Sequence, residues 1–264
     1  MKSTNRQFII CHLTSAHSDG DIRIFHKLAV SAAERYQTYF IVPNGNTRTE
    51  NNVQVIGFHS NVKSRIQRMK ETVNQVLEEA LKVKADIYHL HDPELLRISK
   101  KLKSINGAKV VFDSHEDVPK QILDKYWIPV LFRKLISKLY SYHEKRACKK
   151  IDGVVSVTPI ICERFSKFHP NVEMIANYPQ IKIEEGQLSE KIHNHICYIG
   201  GLYESRGLRE VILAIEHCDV VLHLAGSFDT DHFEMELKQL KGWEKVIFYG
   251  QVNQEKITEL LGKC

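Results

Sequence analysis

The chain has 264 residues, 43% of them hydrophobic, which suffices for the cores of two domains of ordinary size. It contains no run of 18 or more apolar residues, and its six scattered cysteines (Cys11, Cys148, Cys162, Cys197, Cys218, Cys264) form no C-x-x-C pair. Those features argue against a membrane-spanning helix, a disulfide framework and a zinc ribbon, and for reduced thiols in a cytoplasmic protein. The net charge of +5 suits an anionic ligand or an anionic membrane surface and falls short of a nucleic-acid footprint, so no nucleic-acid partner is expected.

The opening MKSTNRQFIICHLTS reads as a first strand over residues 8–13, without the apolar core and cleavage site of a secretory signal. A polar loop, TSAHSDGD, precedes a helix over 22–35. Strands follow at 39–42 and 53–57. A long helix over 62–83 then carries Ile66, Met69, Val73, Val76, Leu77 and Leu81 at helical spacing. The strand at 86–90 ends in His91-Asp92-Pro93-Glu94, and a helix over 95–104 closes at Asn106-Gly107 in the manner of a C-cap. A strand at 109–112 ends in Asp113-Ser114-His115-Glu116.

This βαβα alternation with near-continuous apolar strands predicts a parallel sheet covered by helices on both faces. Ligands of such sheets bind at the carboxyl ends of the strands, where all three polar clusters fall. They therefore mark a cleft, although each histidine taken alone reads as a solvated or capping residue. Asp113 and Ser114 could cap a following helix, and Glu94 could sit in a helix first turn.

Residues 122–150 read as helical and interleave Trp127, Ile128, Val130, Leu131, Phe132, Leu135, Ile136, Leu139 and Tyr140 with Arg133, Lys134, Lys138, Lys145, Arg146, Lys149 and Lys150. Two readings apply: a pair of surface helices, or a patch that touches anionic lipid headgroups. A strand at 153–157, a helix from Thr158-Pro159 to Phe168 and a strand at 173–176 end this half, and the polar residues 181–195 read as the inter-domain linker. The stretch ICYIGGLYESRGLREVILAIEH at 196–217 is a strand, a Gly200-Gly201 turn and a helix. Such a corner presents free backbone N–H groups and the positive end of a helix dipole, and Arg206 before the helix can add charge-assisted bonds to a phosphate. Further strands at 219–224 and 246–249 alternate with helices at 231–240 and 254–261.

These segments in this order resemble the family 4 glycosyltransferases (glycosyl transferase group 1). The resemblance is carried by CHLTSAHSDGDIRIFHKLAVSAAERY, HLHDPELL, VVFDSHEDVP, VVSVTPIICERF, IANYP, YIGGLYESRGLREVILAIE, HLAGSF and VIFYGQV. It implies a GT-B-like α/β fold of two Rossmann-like domains with mainly parallel sheets. Residues 1–185 would form an acceptor-side domain and 186–264 a partial nucleotide-sugar-binding domain. The HDPE and DSHE variants resemble members from bacterial surface-polysaccharide clusters.

The implied activity is transfer of a sugar from a UDP- or GDP-linked donor to a glycan or polyprenyl-linked acceptor. It would proceed with retention, without a metal or other cofactor, in the cytoplasm or at the inner face of the cell membrane. His115, with Glu116 to orient it or accept a hydroxyl bond, would be catalytic. Gly200, Gly201, Arg206, Gly226, Gly250 and Val252 would hold the donor diphosphate and nucleotide, while Asp19, Gly20, Arg23, His91, Asp92 and Glu94 would line the acceptor side. Arg206 stands where the family commonly has a lysine, and Gly201 where it commonly has an arginine. The family's acidic E-x7-E segment lies beyond Cys264, so a C-terminally truncated chain is expected. A non-catalytic acceptor- or nucleotide-binding relative and a nucleotide-sugar epimerase of the same architecture are the alternatives.

Overall fold

A computed structural model describes residues 7–62, 64–125, 128–178 and 191–264. It divides into two compact units, Met1–Pro179 and Gln180–Cys264. The first unit runs β1 (Ile9–Leu13), a π-helical segment (Ile22–Ala29) continuing as α1 (Val30–Ala33), β2 (Gln37–Pro43), β3 (Arg48–Glu50) and β4 (Val53–Phe58). Next come α2 (Arg65–Gln67), a π-helical stretch (Arg68–Thr72), α3 (Val73–Val83), β5 (Ile87–Leu90), a 3-10 segment (Pro93–Ile98) and α4 (Ser99–Asn106). It ends with β6 (Lys109–Ser114), α5 (Val118–Asp124), α6 (Val130–Cys148), β7 (Gly153–Ser156), α7 (Pro159–Ser166) and β8 (Val172–Met174).

The eight strands are ordered β3-β4-β2-β1-β5-β6-β7-β8, all parallel except β3. From β1 the chain builds outward through β2 and β4, then returns to start again at β5 on the other side of β1. The β1/β5 junction is therefore the topological switch point, where open α/β sheets bind ligands. One sheet face buries Cys11, Leu13, Tyr88, Leu90, Val110 and Phe112 against α3, α4 and α7, through Val76, Leu102 and Phe165 among others. On the opposite face Phe40, Val42, Val53 and Val55 pack on Ile24, Phe25 and Ala29 of the first helix. At the centre of that second face the strands carry His12, in register with His89, rather than aliphatic side chains.

Several elements differ from the sequence expectation. The hairpin strand β3 was not foreseen. Its turn residues Asn51 and Asn52 both have left-handed φ (49° and 62°), a conformation asparagine tolerates and two-residue hairpins require. Ile66, Met69 and Leu81 are exposed rather than buried. The π-helical turns at Arg68–Thr72 break the 3.6-residue period, so residues on either side of them no longer share one stripe. The expected helical region at 122–150 is two helices; Trp127 lies outside the described residues. In α6 Val130, Leu131, Phe132, Leu135 and Leu139 point outward, while Glu144 and Cys148 are buried.

The second unit contains β9 (His195–Ile199), a 3-10 turn (Glu204–Arg206), α8 (Leu208–Glu216), β10 (Val221–Ala225), α9 (Asp231–Lys238), a 3-10 segment (Lys241–Lys245), β11 (Val246–Gly250) and α10 (Gln254–Lys263). Its strands are parallel in the order β11-β10-β9. Leu222 and Leu224 pack with Leu208, Ile212, Phe233 and Leu237 of α8 and α9. The other face carries a hydrogen-bonded row, His195 Nδ1 to His223 Nε2 and His223 Nδ1 to Tyr249 Oη, each at 2.7 Å. Of the expected linker at 181–195, residues 181–190 lie outside the described residues, and at its end His195 already belongs to β9.

Candidate functional site

At the carboxyl edge of the first sheet, the segments after β1, β5 and β6 are tied together by their own side chains. Asp92, just past β5, accepts from Thr14 Oγ1 (2.7 Å) and Ser15 N (2.6 Å), which fixes the start of the first loop. Glu94 accepts from Ser15 Oγ (3.0 Å) and pairs with Arg68 (3.0 Å). Asp21 caps the π-helical segment by accepting from Arg23 N and Ile24 N, at 2.9 and 2.8 Å. That cap turns Arg23 inward, where its Nε and Nη2 donate to both oxygens of buried Asp113 (2.9 and 2.8 Å) and its Nη1 to Ile175 O (2.9 Å). His91 Nδ1 also donates to Asp113 Oδ2 at 3.2 Å, and His91 Nε2 lies 2.9 Å from His12 Nδ1.

The electrostatics follow from these contacts. Burial opposes ionisation of Asp113, but hydrogen bonds from His91 and Arg23 outweigh it and hold the carboxyl far below the usual range. Burial keeps His12 and His89 neutral, with the His89 value pushed down to about 3. His17 is raised, chiefly by its hydrogen bond to Asp21 at 3.0 Å. Burial likewise opposes ionisation of Asp21, but His17 and the capped amides bring it down to about 2.

Two cavities open beside this network. One, of about 310 Å³, is lined by Ser15, His17, Asp19, Asn44, Ser60 and Arg68, among others. The other, of about 350 Å³, is lined by His17, Asp21, Arg23, His115, Glu116 and Asn177, with Ile22, Ile24 and Val157 as apolar wall. His17 and His115 meet edge to face with ring centroids 5.2 Å apart. Burial lowers the His115 pKa, so the ring is neutral near pH 7, and its buried Nδ1 has no hydrogen-bond partner.

These contacts correct several sequence expectations. Arg23 does line the larger cavity, but from the first helical turn rather than from the loop, and with its guanidinium paired to Asp113. His91, Asp92 and Glu94 are buried structural groups rather than cleft lining, because a polar side chain inside a sheet edge must find partners or incur a desolvation cost. Glu116 is exposed and does not hydrogen-bond His115, so it does not orient that ring. Asp113 and Ser114 cap no helix: Asp113 holds Arg23, and Ser114 Oγ donates to Glu116 O. Glu94 does occupy the first turn of a short helix. Asp19 lines the smaller cavity but pairs with Arg48 (2.6 Å), and Gly20 is adjacent to it with open space at its Cα. Sequence reading passed over His17 and Asn177, although both stand in polar strand-end segments of the kind that flagged the others.

The second unit's edge is built differently. Gly200 N donates to Ala225 O, Gly226 N to Gly250 O, and Leu202 N to Ser227 O. This lacing brings the ends of β9, β10 and β11 into backbone contact. A Cβ on Gly226, at φ +145°, would stand 1.8 Å from Gly200 O, so only glycine fits there. Gly250 ends β11, and half-buried Val252 follows it. Gly207, in the left-handed conformation, opens α8 without a side-chain cap, which leaves that helix's first amides free. Arg206 is exposed beside them and pairs with none of the described residues. The Tyr203 ring lies over Gly201, where an added Cβ would meet it at 2.5 Å.

Comparison with known proteins agrees with this architecture. Glycosyltransferase Family 4 matches residues 23–177. Among solved structures, sucrose-phosphate synthase from Thermosynechococcus elongatus superposes with a TM-score of 0.70 at 13% identity, covering 96% of this chain and 72% of that one. HepE of Anabaena, solved in complex with UDP and glucose, gives 0.63 at 13% identity over 94% of this chain and 70% of its own. WaaG, a glycosyltransferase involved in lipopolysaccharide biosynthesis, gives 0.65 at 12% identity over 97% and 73%. No curated protein matches significantly. The family match extends from the first helix to the end of the first unit and so covers more than half of the chain: the protein belongs to glycosyltransferase family 4 and has a GT-B-type α/β fold.

Proposed function

We propose that this protein transfers a sugar, with retention, from a nucleotide-sugar donor to a glycan or polyprenyl-linked acceptor in bacterial polysaccharide synthesis at the inner face of the cell membrane. The observation that carries the reading is the β9–α8 corner. Its uncapped helix amides and unpaired Arg206 form a site where negative charge is favoured, as it is on a leaving diphosphate. UDP is the first base to test, because HepE was solved with it. Gly200, Gly201, Gly226, Gly250 and Val252 would frame the nucleotide, with no metal or other cofactor. In the first unit, neutral His115 beside His17 would meet the reacting hydroxyl, with Glu116, Asp19 and Gly20 at the rim. A non-catalytic nucleotide-binding relative is the second reading, favoured by the Tyr203 ring lying at Gly201, the position where an arginine is usual.

Calorimetry with UDP, GDP and their sugars, followed by turnover assays, tests the proposal. Binding of one donor, with turnover lowered by about 10²–10⁴-fold in His115→Ala, supports a transferase. Binding without any transfer or donor hydrolysis leaves the second reading, and absence of nucleotide binding defeats both. No helix among the described residues is long and apolar enough to cross a membrane. Membrane attachment would instead come from α6. It exposes Leu131 (91%), Val130 (73%) and Leu135 (55%) near its N-terminal end, and a groove of about 300 Å³ lined by Tyr142, Lys145, Arg146, Lys149 and Lys150 lies at its C-terminal end. Exposed apolar side chains and a basic groove on the same helix match an anionic lipid surface. Co-sedimentation with anionic vesicles that weakens with salt is expected; no binding at low salt would remove the membrane role.

A further inference from the structure

We propose that the first unit holds one divalent transition-metal ion, zinc foremost, between His12, His89 and His91 at the β1/β5 junction. The three side chains each offer a nitrogen, and those atoms lie within 4.8 Å of one another. His89 and His91 stand two residues apart on one face of the chain at β5, and His12 faces them from β1 in register with His89. Sheet hydrogen bonds fix the backbone of this set, so the geometry does not depend on a mobile loop. Neutral imidazoles in such an array suit zinc, copper, nickel or cobalt, and three histidines with a fourth position for water make a common tetrahedral set.

Two further observations point to a ligand. His89 Nε2 is buried without any hydrogen-bond partner, its residue only 9% exposed. Buried nitrogens in a purely structural core are normally satisfied, so this orphan beside two further imidazoles is an unmet demand. The third ring is oriented from outside the cluster. His91 donates its Nδ1 proton to Asp113, which leaves Nε2 as its lone-pair side, and Arg23 holds Asp113 in turn. A carboxylate behind a histidine in this way is the usual support for a metal ligand.

Without an ion, His12 Nδ1 and His91 Nε2 share a proton at 2.9 Å. Ligand nitrogens on tetrahedral zinc stand about 3.3 Å apart, so binding opens this pair by a few tenths of an ångström. The neutral His12 ring, bound through Nδ1, carries its one proton on Nε2. The ion braces the strand junction and, through His91, Asp113 and Arg23, the start of the first helix. It is separate from the diphosphate corner, which lies in the second unit and for which no metal is expected.

The test uses the full chain, stripped with a chelator and titrated with Co²⁺ in the absence of any donor. One equivalent should produce the visible ligand-field absorption of four-coordinate Co²⁺, without the thiolate charge-transfer bands that binding at cysteines would give. One equivalent of Zn²⁺ should remove it. His89→Phe, which fills the ring volume, and His12→Gln should each lower affinity by about 10–100-fold while circular dichroism remains that of the wild type. Absence of the absorption in the folded wild type overturns the proposal, as does an unchanged titration in both variants. If one variant fails to fold, the other and the wild-type stoichiometry decide. Because no nucleotide is present, the outcome is independent of the transferase reading.

Discussion

The carboxyl edges of the two sheets solve the same topological problem with different materials. In the first unit the strand ends carry acids, histidines and an arginine, and nearly all of them are bound to one another: Arg23 to Asp113, His91 to Asp113 and His12, Asp92 to the first loop, Glu94 to Ser15 and Arg68. In the second unit the edge is backbone, laced through Gly200, Gly226 and Gly250, with one exposed guanidinium left over. An edge of buried, mutually paired charges is rigid and expensive to disturb. An edge of glycine backbone lets a ligand approach closely and leaves its cation free. Chemistry-bearing residue types therefore mark structure in one unit, and their scarcity marks the edge proposed to bind in the other.

The contrast is broken most directly by Asp113→Ala, which strands Arg23 in the interior. Removing one partner of a buried pair costs about 3–5 kcal/mol, so denaturant unfolding of the first unit should shift by that amount or the unit should fail to fold. A shift below about 1 kcal/mol would mean that Arg23 escapes to solvent and that the edge is softer than the geometry implies. Gly226→Ala probes the other edge. The left-handed φ and the approach to Gly200 O should destabilise the second unit by about 2 kcal/mol or more, and the same chemical denaturation would read it.

Arg206→Ala sharpens the comparison from the functional side. Loss of a charge-assisted bond to a diphosphate is worth about 1.5–3 kcal/mol, or roughly 10–100-fold in nucleotide affinity by calorimetry. Stability should stay within about 0.5 kcal/mol, because the side chain is exposed and pairs with none of the described residues. The reverse pattern, lost stability with unchanged affinity, would make Arg206 structural like Arg23.

The smallest effect is the pH dependence of His17–Asp21. Asp21 is depressed to about 2, so its contribution is present above the unfolded value near 4 and is lost as pH falls toward 2. His17 is raised, so its contribution is full below about 6.5 and is lost as pH rises through its folded value. The pair is strongest between those limits. Denaturant midpoints across pH 2–9 should show a wild-type maximum there, about 1 kcal/mol above His17→Gln. Parallel curves for the two proteins would show that the pair contributes nothing.

The order of strands and helices was readable because apolar period and turn residues are local signals. Gly107 closes α4, as Asn106-Gly107 suggested, and the polar clusters do fall at the ends of β1, β5 and β6. The π-helical segments at Ile22–Ala29 and Arg68–Thr72 were not readable, since an apolar pattern over so few residues does not separate a π-helical turn from an α-helical one. Nor was the fate of individual charges. Arg23 and Asp113 are 90 positions apart, and nothing local tells a free guanidinium from a paired one. The same holds for His91, which reads singly as a solvated or capping histidine, and His12, which lies within the first strand; they meet only because β1 and β5 are neighbours.

The amino-acid sequence by itself determined the α/β class, the strand-end position of the polar residues and the membership of glycosyltransferase family 4, because periodicity and short motifs are properties of contiguous residues. Only the tertiary structure decided which of those polar residues remain available. Partners across a parallel sheet are set by strand order, and a buried charge must take whichever partner that order places beside it. Arg23 was thereby committed to the core and Arg206 left at the surface.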